Sequence, residues 1–282
     1  MIDLPAINDK KKLISVGLPV FNGEKYLRQA INSLLSQTYL DIEVIISDNA
    51  SVDNTEEICR EFMLHDKRVQ YFRQTNNIGA IKNFQFVLEK ASGDFFLWAA
   101  HDDIRHPDAI NKMFSVFEED ETVGLVFSDI VVTDYVNNKS IKYTSGYTSS
   151  HTKKIYKYLF RLIYSPSPVM FYGLHRTSIL KSINFSNFDY FDIYITHWYE
   201  LNSSIKTIPL FLYTCGTHGN RIPYSLTHQY LSYKVYLQKE WKLLRNHFNI
   251  FISIFLYSIA AYLIWRNTIL HNALIRKHQI RK

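Results

Sequence analysis

Cysteine is nearly absent from this sequence: only Cys59 and Cys215 occur in 282 residues, far apart and in no metal-binding spacing. A disulfide scaffold and a thiolate zinc site are thereby excluded, and the pattern fits a reducing compartment. The N-terminal stretch Met1–Lys12 is polar and lacks the apolar core of a secretory signal, so the expected location is the cytosol. No Gly-x-Gly-x-x-Gly follows the first apolar run, where Pro19-Val-Phe-Asn-Gly-Glu-Lys25 stands instead. That argues against a dinucleotide-dependent oxidoreductase. Internal repeats and low-complexity tracts are missing as well.

What is present describes a folded protein. A hydrophobic share of 47% beside 21% charged residues suits one large α/β domain with an appendage. Aromatics reach 15%; they suit sugar faces and membrane interfaces, but also ordinary cores, so composition decides nothing here. The charge is informative once it is divided. From Lys234 to Lys282 nine Lys/Arg face one acid, Glu240, so the tail carries +8 of a chain total of +6 and the rest is −2. A nucleic-acid-binding body is disfavoured, and a tail that meets anionic lipid or an acidic partner is favoured.

The first half alternates between strand and helix patterns. Leu13–Val20, Glu43–Ser47, Val69–Arg73, Phe95–Ala100 and Val123–Thr133 read as strands. Tyr26–Ser36, a segment from Asp53 through Phe62 opened by an Asp53/Glu56 capping box, Ala80–Ala91 and Pro107–Glu119 read as helices. Such alternation predicts a Rossmann-like, mainly parallel α/β sheet with right-handed crossovers and helices on both faces. Ligands bind such sheets at the carboxyl ends of the strands. The second half is less regular. Ser140–Thr152 reads as a polar loop, Asp192–Ser204 as a helix, Ile205–Tyr213 as a strand and Cys215–Pro223 as a loop containing His218.

The strand ends carry the chemistry. His101-Asp102-Asp103 follows a buried strand; adjacent carboxylates repel unless a cation is near, and a divalent ion on a diphosphate is a natural partner. The plain alternative is that one aspartate caps the next helix. Ser47-Asp48-Asn49-Ala50-Ser51 offers a carboxylate and an amide able to read a nucleobase edge, or simply a turn. Asn76-Asn77-Ile78-Gly79 is followed by Lys82, which is suited to a phosphate or base but equally to solvent.

Taken as a set, Leu18-Pro-Val-Phe-Asn22, Ser47-Asp-Asn-Ala-Ser51, Asn77-Ile-Gly79 and Trp98-Ala-Ala-His-Asp-Asp103 resemble the inverting family 2 glycosyltransferases of the GT-A fold. The resemblance runs closely from Leu13 to Asp134, is traceable to His218 and is absent from the tail. It implies transfer of a sugar from a nucleotide-diphosphate donor, UDP-linked, to an acceptor hydroxyl with inversion, in polysaccharide or lipid-linked glycan synthesis. It further implies a nucleotide-sugar site at Pro19, Asn22, Asp48, Asn49, Asn77, Lys82 and Asp102. A divalent metal, Mn²⁺ or Mg²⁺, would be held by Asp103 and His218. The catalytic base implied is Asp192, with Asp189 its competitor and a helix cap its plain alternative. One departure stands out: many members place an acid where Ala100 or His101 stands. A catalytically inactive sugar-nucleotide-binding or scaffold protein of the same fold is the alternative reading. Sugar nucleotidyltransferases, the other enzyme class with such a sheet, carry a Gly-rich basic first loop that is not found here.

The expected organisation is a catalytic domain over 1–225, with its nucleotide-sugar half near 13–134 and its acceptor half near 135–225, followed by a basic and apolar helical tail over 226–282. Phe248–Trp265 is apolar except for Asn249 and two serines, and cations flank it. A span needs ~20 apolar residues, so this run is short for one. A helix lying in the interface of an anionic membrane on its cytosolic face is the expectation; a single span and a helix packed on the catalytic domain are the alternatives.

Overall fold

In the computed structural model, the described residues are 12–144, 168–185, 191–217, 238–239, 241–246, 248–259 and 261–262. The N-terminal half is the expected α/β repeat: β1 (Ile14–Val20), α1 (Leu27–Leu35), β2 (Ile42–Asp48), α2 (Thr55–His65), β3 (Val69–Arg73), α3 (Ala80–Lys90) and β4 (Phe95–Trp98). The pairs β1–β2, β2–β3 and β1–β4 are all parallel. β1 and β2 are buried along their whole length, because helices cover both faces of this part of the sheet.

Beyond β4 the chain forms β5 (Ile104–Arg105), α4 (Ala109–Glu119), β6 (Val123–Asp134), β7 (Lys139–Tyr143), a 3-10 turn (Pro168–Tyr172), β8 (Leu174–Arg176), α5 (Thr177–Ser182), α6 (Phe191–Asn202) and β9 (Ser204–Thr217). The sheet order is β3-β2-β1-β4-β8-β6-β9-β5, with β7 paired to β6. The short β8 enters antiparallel between β4 and β6, and β6 then runs parallel to β9. Three sequence readings change here. Residues 139–143 form a strand, not loop, and Cys215 to Thr217 continue β9. The Asp53/Glu56 capping box is not made. Asp53 instead accepts the Thr55 and Glu24 N–H groups, Glu24 accepts that of Asn54, and Glu56 pairs with Arg60 and Arg73.

Strand side chains alternate between two apolar layers with the period of two that a pleat imposes. Val16, Leu18, Phe95 and Leu97 pack with Leu27, Ile31 and Leu34 of α1 and with Ile110, Met113 and Phe117 of α4. Phe96, Trp98, Leu125 and Phe127 face the other way, onto Val87 and Leu88 of α3, Leu180 of α5, and Ile195 and Tyr199 of α6. Each such fully buried apolar side chain contributes about 1.5–3 kcal/mol, and together they fix the strand ends in space. The helical residues 241–246 and 250–259 pack on the domain: Leu243, Leu244 and Leu256 cluster with Leu201, Tyr194 and Trp198 of α6. Among the described residues no helix is long and apolar enough to cross a membrane. For this face of the tail, packing on the catalytic domain is what the structure shows.

Candidate active site

The parallel strands end in loops that are laced to one another. Pro19 is buried within β1, opposite Ser47. Its missing N–H is harmless. The Gly17 carbonyl accepts from Ala99, so Gly17 and Pro19 both point their backbone groups toward β4, which has ended by Trp98. Asn22 takes a left-handed φ of 51°, tolerated because Asn is among the few residues that adopt it. Its backbone N–H donates to Ser51 Oγ at 2.9 Å, and its Oδ1 accepts from Val52 N at 3.0 Å. Ala50, in the facing turn, is also left-handed at 61°. Such strain is held only where the surroundings fix it.

Asp48 has no exposed surface. Its Oδ1 accepts Ser51 N–H at 2.8 Å, and its Oδ2 accepts Tyr71 O–H at 2.9 Å and Arg73 at 2.7 Å. The base-reading role expected of Asp48 therefore requires Tyr71 or Arg73 to give way; in this arrangement Asp48 locks the turn. Asn49, also buried, donates to Asn77 Oδ1 at 2.9 Å and accepts Ile78 N–H at 2.8 Å. It zips the end of β2 to the loop before α3. Phe21, 45% exposed, and Asn77 are open here, as are Asn22, Val52 and Asn76. The Phe21 ring offers the stacking face that a nucleobase needs, a feature the sequence reading passed over. Lys82 is exposed in the first turn of α3 and makes no hydrogen bond or ion pair among the described residues.

The acidic centre lies after β4. Asp103 is 6% exposed; its Oδ2 accepts the Tyr213 hydroxyl and its Oδ1 the Gly216 N–H at 2.9 Å, both from β9. Burial pushes the Asp103 carboxyl up to about 6 and Asp102 adds to the rise, while the Tyr213 and Gly216 bonds and Arg105 oppose it. Arg105, also buried, pulls the Asp103 carboxyl down by its charge. Its guanidinium lies 4.4 Å over the Tyr213 ring and donates to the carbonyls of Trp98 and Tyr172. Asp102 is more open and lies 3.8 Å from His101 Nδ1. Gly216 is needed for this closeness: a Cβ there would stand 2.5 Å from the Asp102 carbonyl and 2.6 Å from the Tyr135 ring. Tyr135 stacks on Tyr26 at 5.2 Å, so β6, β9 and the β1–α1 loop meet at one rim.

Asp192 occupies the first turn of α6. Burial pushes its carboxyl up, against the pull of the backbone N–H groups of Ile193 and Asp192 itself. Tyr172 joins it to the acidic centre: burial raises the Tyr172 hydroxyl, and Asp103, Asp192 and Asp102 all push in the same direction. The charges of three carboxylates singled out in the sequence thus act on one tyrosine, although they come from two distant segments. Tyr172, Tyr213, Gly216 and Arg105 were not singled out. Only Arg105, two residues after the Asp-Asp pair, left a local signal.

Among the described residues no group of three or more His, Cys, Asp or Glu side chains gathers to hold a metal ion. His218 and Asp189 lie outside the described residues. The donors present do fit a hard cation: Mg²⁺ and Mn²⁺ take one or two carboxylates and leave the remaining positions to water and substrate phosphates.

Known proteins share this architecture. Glycosyltransferase GlyG of Streptococcus pneumoniae is 34% identical over 126 residues, 45% of this chain and 40% of GlyG. The uncharacterized glycosyltransferase MJ1057 of Methanocaldococcus jannaschii is 26% identical over 264 residues, 90% of this chain and 88% of that protein. The matches thus span from well under half to most of a relative's length. Among solved structures, S. aureus TarS 1–349 in complex with UDP superposes with a TM-score of 0.68 at 20% identity, over 89% of this chain and 70% of that one. The mannosyltransferase PcManGT of Pyrobaculum calidifontis, in complex with GDP-Man and Mn²⁺, does so at 0.56 and 16%, over 90% and 70%. Residues 15–183 match the family described as Glycosyl transferase family 2, and the chain belongs to that family.

Proposed function

We propose that this protein transfers a sugar from a UDP-linked donor to a hydroxyl of a glycan or lipid-linked glycan, with inversion at the anomeric carbon. The observation that carries the reading is the buried Asp103, clasped by Tyr213 and Gly216 of β9 next to Asp102, beyond the carboxyl end of β4, where α/β sheets take their ligands. TarS with bound UDP and UDP-GlcNAc supports the choice of nucleotide. A seat at the cytosolic face of a membrane would bring a lipid-linked acceptor to the cleft.

The reaction forms a bond from the acceptor oxygen to the anomeric carbon as the bond from that carbon to the diphosphate breaks. The acceptor proton must go to a base, and Asp192 is suited to take it. Its raised pKa gives it more affinity for a proton than an ordinary carboxylate has. The electron pair of the broken bond leaves with the diphosphate. A divalent cation held by Asp103, with His218 as a further ligand, would stabilise that charge, and Asp102 would bind the nucleotide-sugar beside it. Tyr213 and Gly216 hold the Asp103 carboxylate in one orientation, and Arg105 offsets part of its charge. The Asn49–Asn77 bond keeps the donor-side loops at fixed separation.

The inactive-binder reading draws on His101, which stands where family members often carry an acid. A thermal-shift screen of UDP, GDP and their sugars, with and without Mn²⁺, followed by an assay of nucleotide release, separates the two. At a hundred times its Kd a ligand stabilises by about 2.7 kcal/mol, a shift of roughly 5–10 °C. A Mn²⁺-dependent shift with UDP together with UDP release from one UDP-sugar is expected. A shift with no release under any condition would leave a binding protein, and no shift with any nucleotide would remove both readings.

A further inference from the structure

The helical residues 250–259 are apolar except for Ser253, on the packed side, and Ser258, on the open side, whose hydroxyl donates to the Ile254 carbonyl of the same helix; a helix apolar on both sides is built to be covered on both. α6 covers one side. Ile252 and Leu256 pack into the cluster formed with Tyr194, Trp198 and Leu201, and Ser253 is fully buried beside them. The other side is open: Ile250 is 48% exposed, Phe251 81%, Ile254 49%, Phe255 58% and, a little further on, Tyr262 57%. At 3.6 residues per turn the open apolar positions of the helix lie within an arc of roughly 140°. They form one stripe, not scattered residues.

We infer that this stripe docks the enzyme on an anionic lipid surface. The inference extends the proposed function by naming the surface and the lipid class, and it rests on that reading only for the consequence that the acceptor is lipid-linked. The charge of the tail selects the occupant. Lys242 and Arg245 are exposed just ahead of the stripe, while Leu243 and Leu244 between them are buried against α6. Over Lys234–Lys282 nine cations face a single acid. A second copy of this chain would bring one such +8 tail against another, whereas anionic headgroups would neutralise it. The packing also ties docking to the reaction, because α6 carries both Asp192 in its first turn and the residues that hold the lipid-facing helix.

The test is flotation of the full chain with vesicles of phosphatidylcholine alone or with phosphatidylglycerol added, at low and high salt. Wild type is compared with a Phe251→Ser/Phe255→Ser variant and a Lys242→Glu/Arg245→Glu variant. Wild type should float with the anionic vesicles, less so at high salt, and both variants should partition roughly tenfold or more weakly. A thermal melt close to wild type for each variant would show that the fold is kept, since all four positions are exposed. Wild type that stays soluble, or floats equally with both lipids, overturns the inference. So does a wild-type dimer that the Phe variant turns into monomer while vesicle binding is absent. Release of UDP from the soluble donor is read in parallel: its loss with flotation intact would sink the transferase reading and leave the docking surface standing.

Discussion

Asp103 gives the most searching test, because its two substitutions, to Asn and to Ala, must separate stability from chemistry. Both remove the buried charge. Asn keeps an oxygen for the Gly216 N–H and an amide beside the Tyr213 hydroxyl, whereas Ala leaves both groups buried without the acceptor they have now. An orphaned buried donor costs about 1–3 kcal/mol, so Asp103→Ala should be less stable than Asp103→Asn by roughly 2–4 kcal/mol. For a chain of this size that is a gap of roughly 4–12 °C in Tm. The charge itself is read from pH. A rise from 3.8 to about 6 means the folded state binds this proton more tightly than the unfolded chain. The group therefore favours the fold most below pH 4 and loses that contribution as pH rises through 6, about 3 kcal/mol in all. Asp103→Asn lacks the titration, so wild type should lose stability relative to it by that amount between pH 4 and 7. Calorimetric or denaturant melts across that range measure both quantities. Equal melting of the Ala and Asn variants would show that the β9 contacts do not hold Asp103. Parallel pH curves for wild type and Asn would show that the carboxyl is not buried as described.

The remaining expectations concern the chemistry and one ion pair. Asp103→Asn should retain its fold and lose Mn²⁺-stimulated UDP release; near-normal release would remove the metal reading. Asp192→Asn should still bind donor in the thermal-shift assay while turnover falls by roughly 10²–10⁴, and retained turnover would exclude Asp192 as the base. The acid limb of the wild-type turnover profile should lie above the ordinary carboxylate range, because burial raises Asp192. Arg73→Met should lower the midpoint of denaturant melts, because it takes a partner from the carboxylate of Asp48, which has no exposed surface. An unchanged midpoint would mean that Tyr71 and Ser51 alone satisfy Asp48.

The alternating strands and helices up to α4 were legible because each is a continuous segment whose apolar period of 2 or 3.6 shows along the chain. The three-residue β8 and two-residue β5 are too short to carry a period, and β7 is exposed along its length. Their pairing partners lie far away in sequence. Asp48 shows the same limit at a single residue. Its place after β2 is written in the sequence, but its burial under Tyr71 and Arg73 follows from the register of β2 against β3.

For the tail, composition supplied an apolar run with basic flanks but not the face that packs, which depends on Tyr194, Trp198 and Leu201 of α6. The sequence by itself determined the α/β class, the family and the carboxylates at the strand ends, because those rest on short-range patterns and local motifs. Only the tertiary structure decided that Tyr213 and Gly216 clasp Asp103 and that the charges of Asp103 and Asp192 both act on Tyr172. Those groups lie from twenty to more than a hundred positions apart in the chain. Only packing of the sheet and its helices into one core brings such distant groups together.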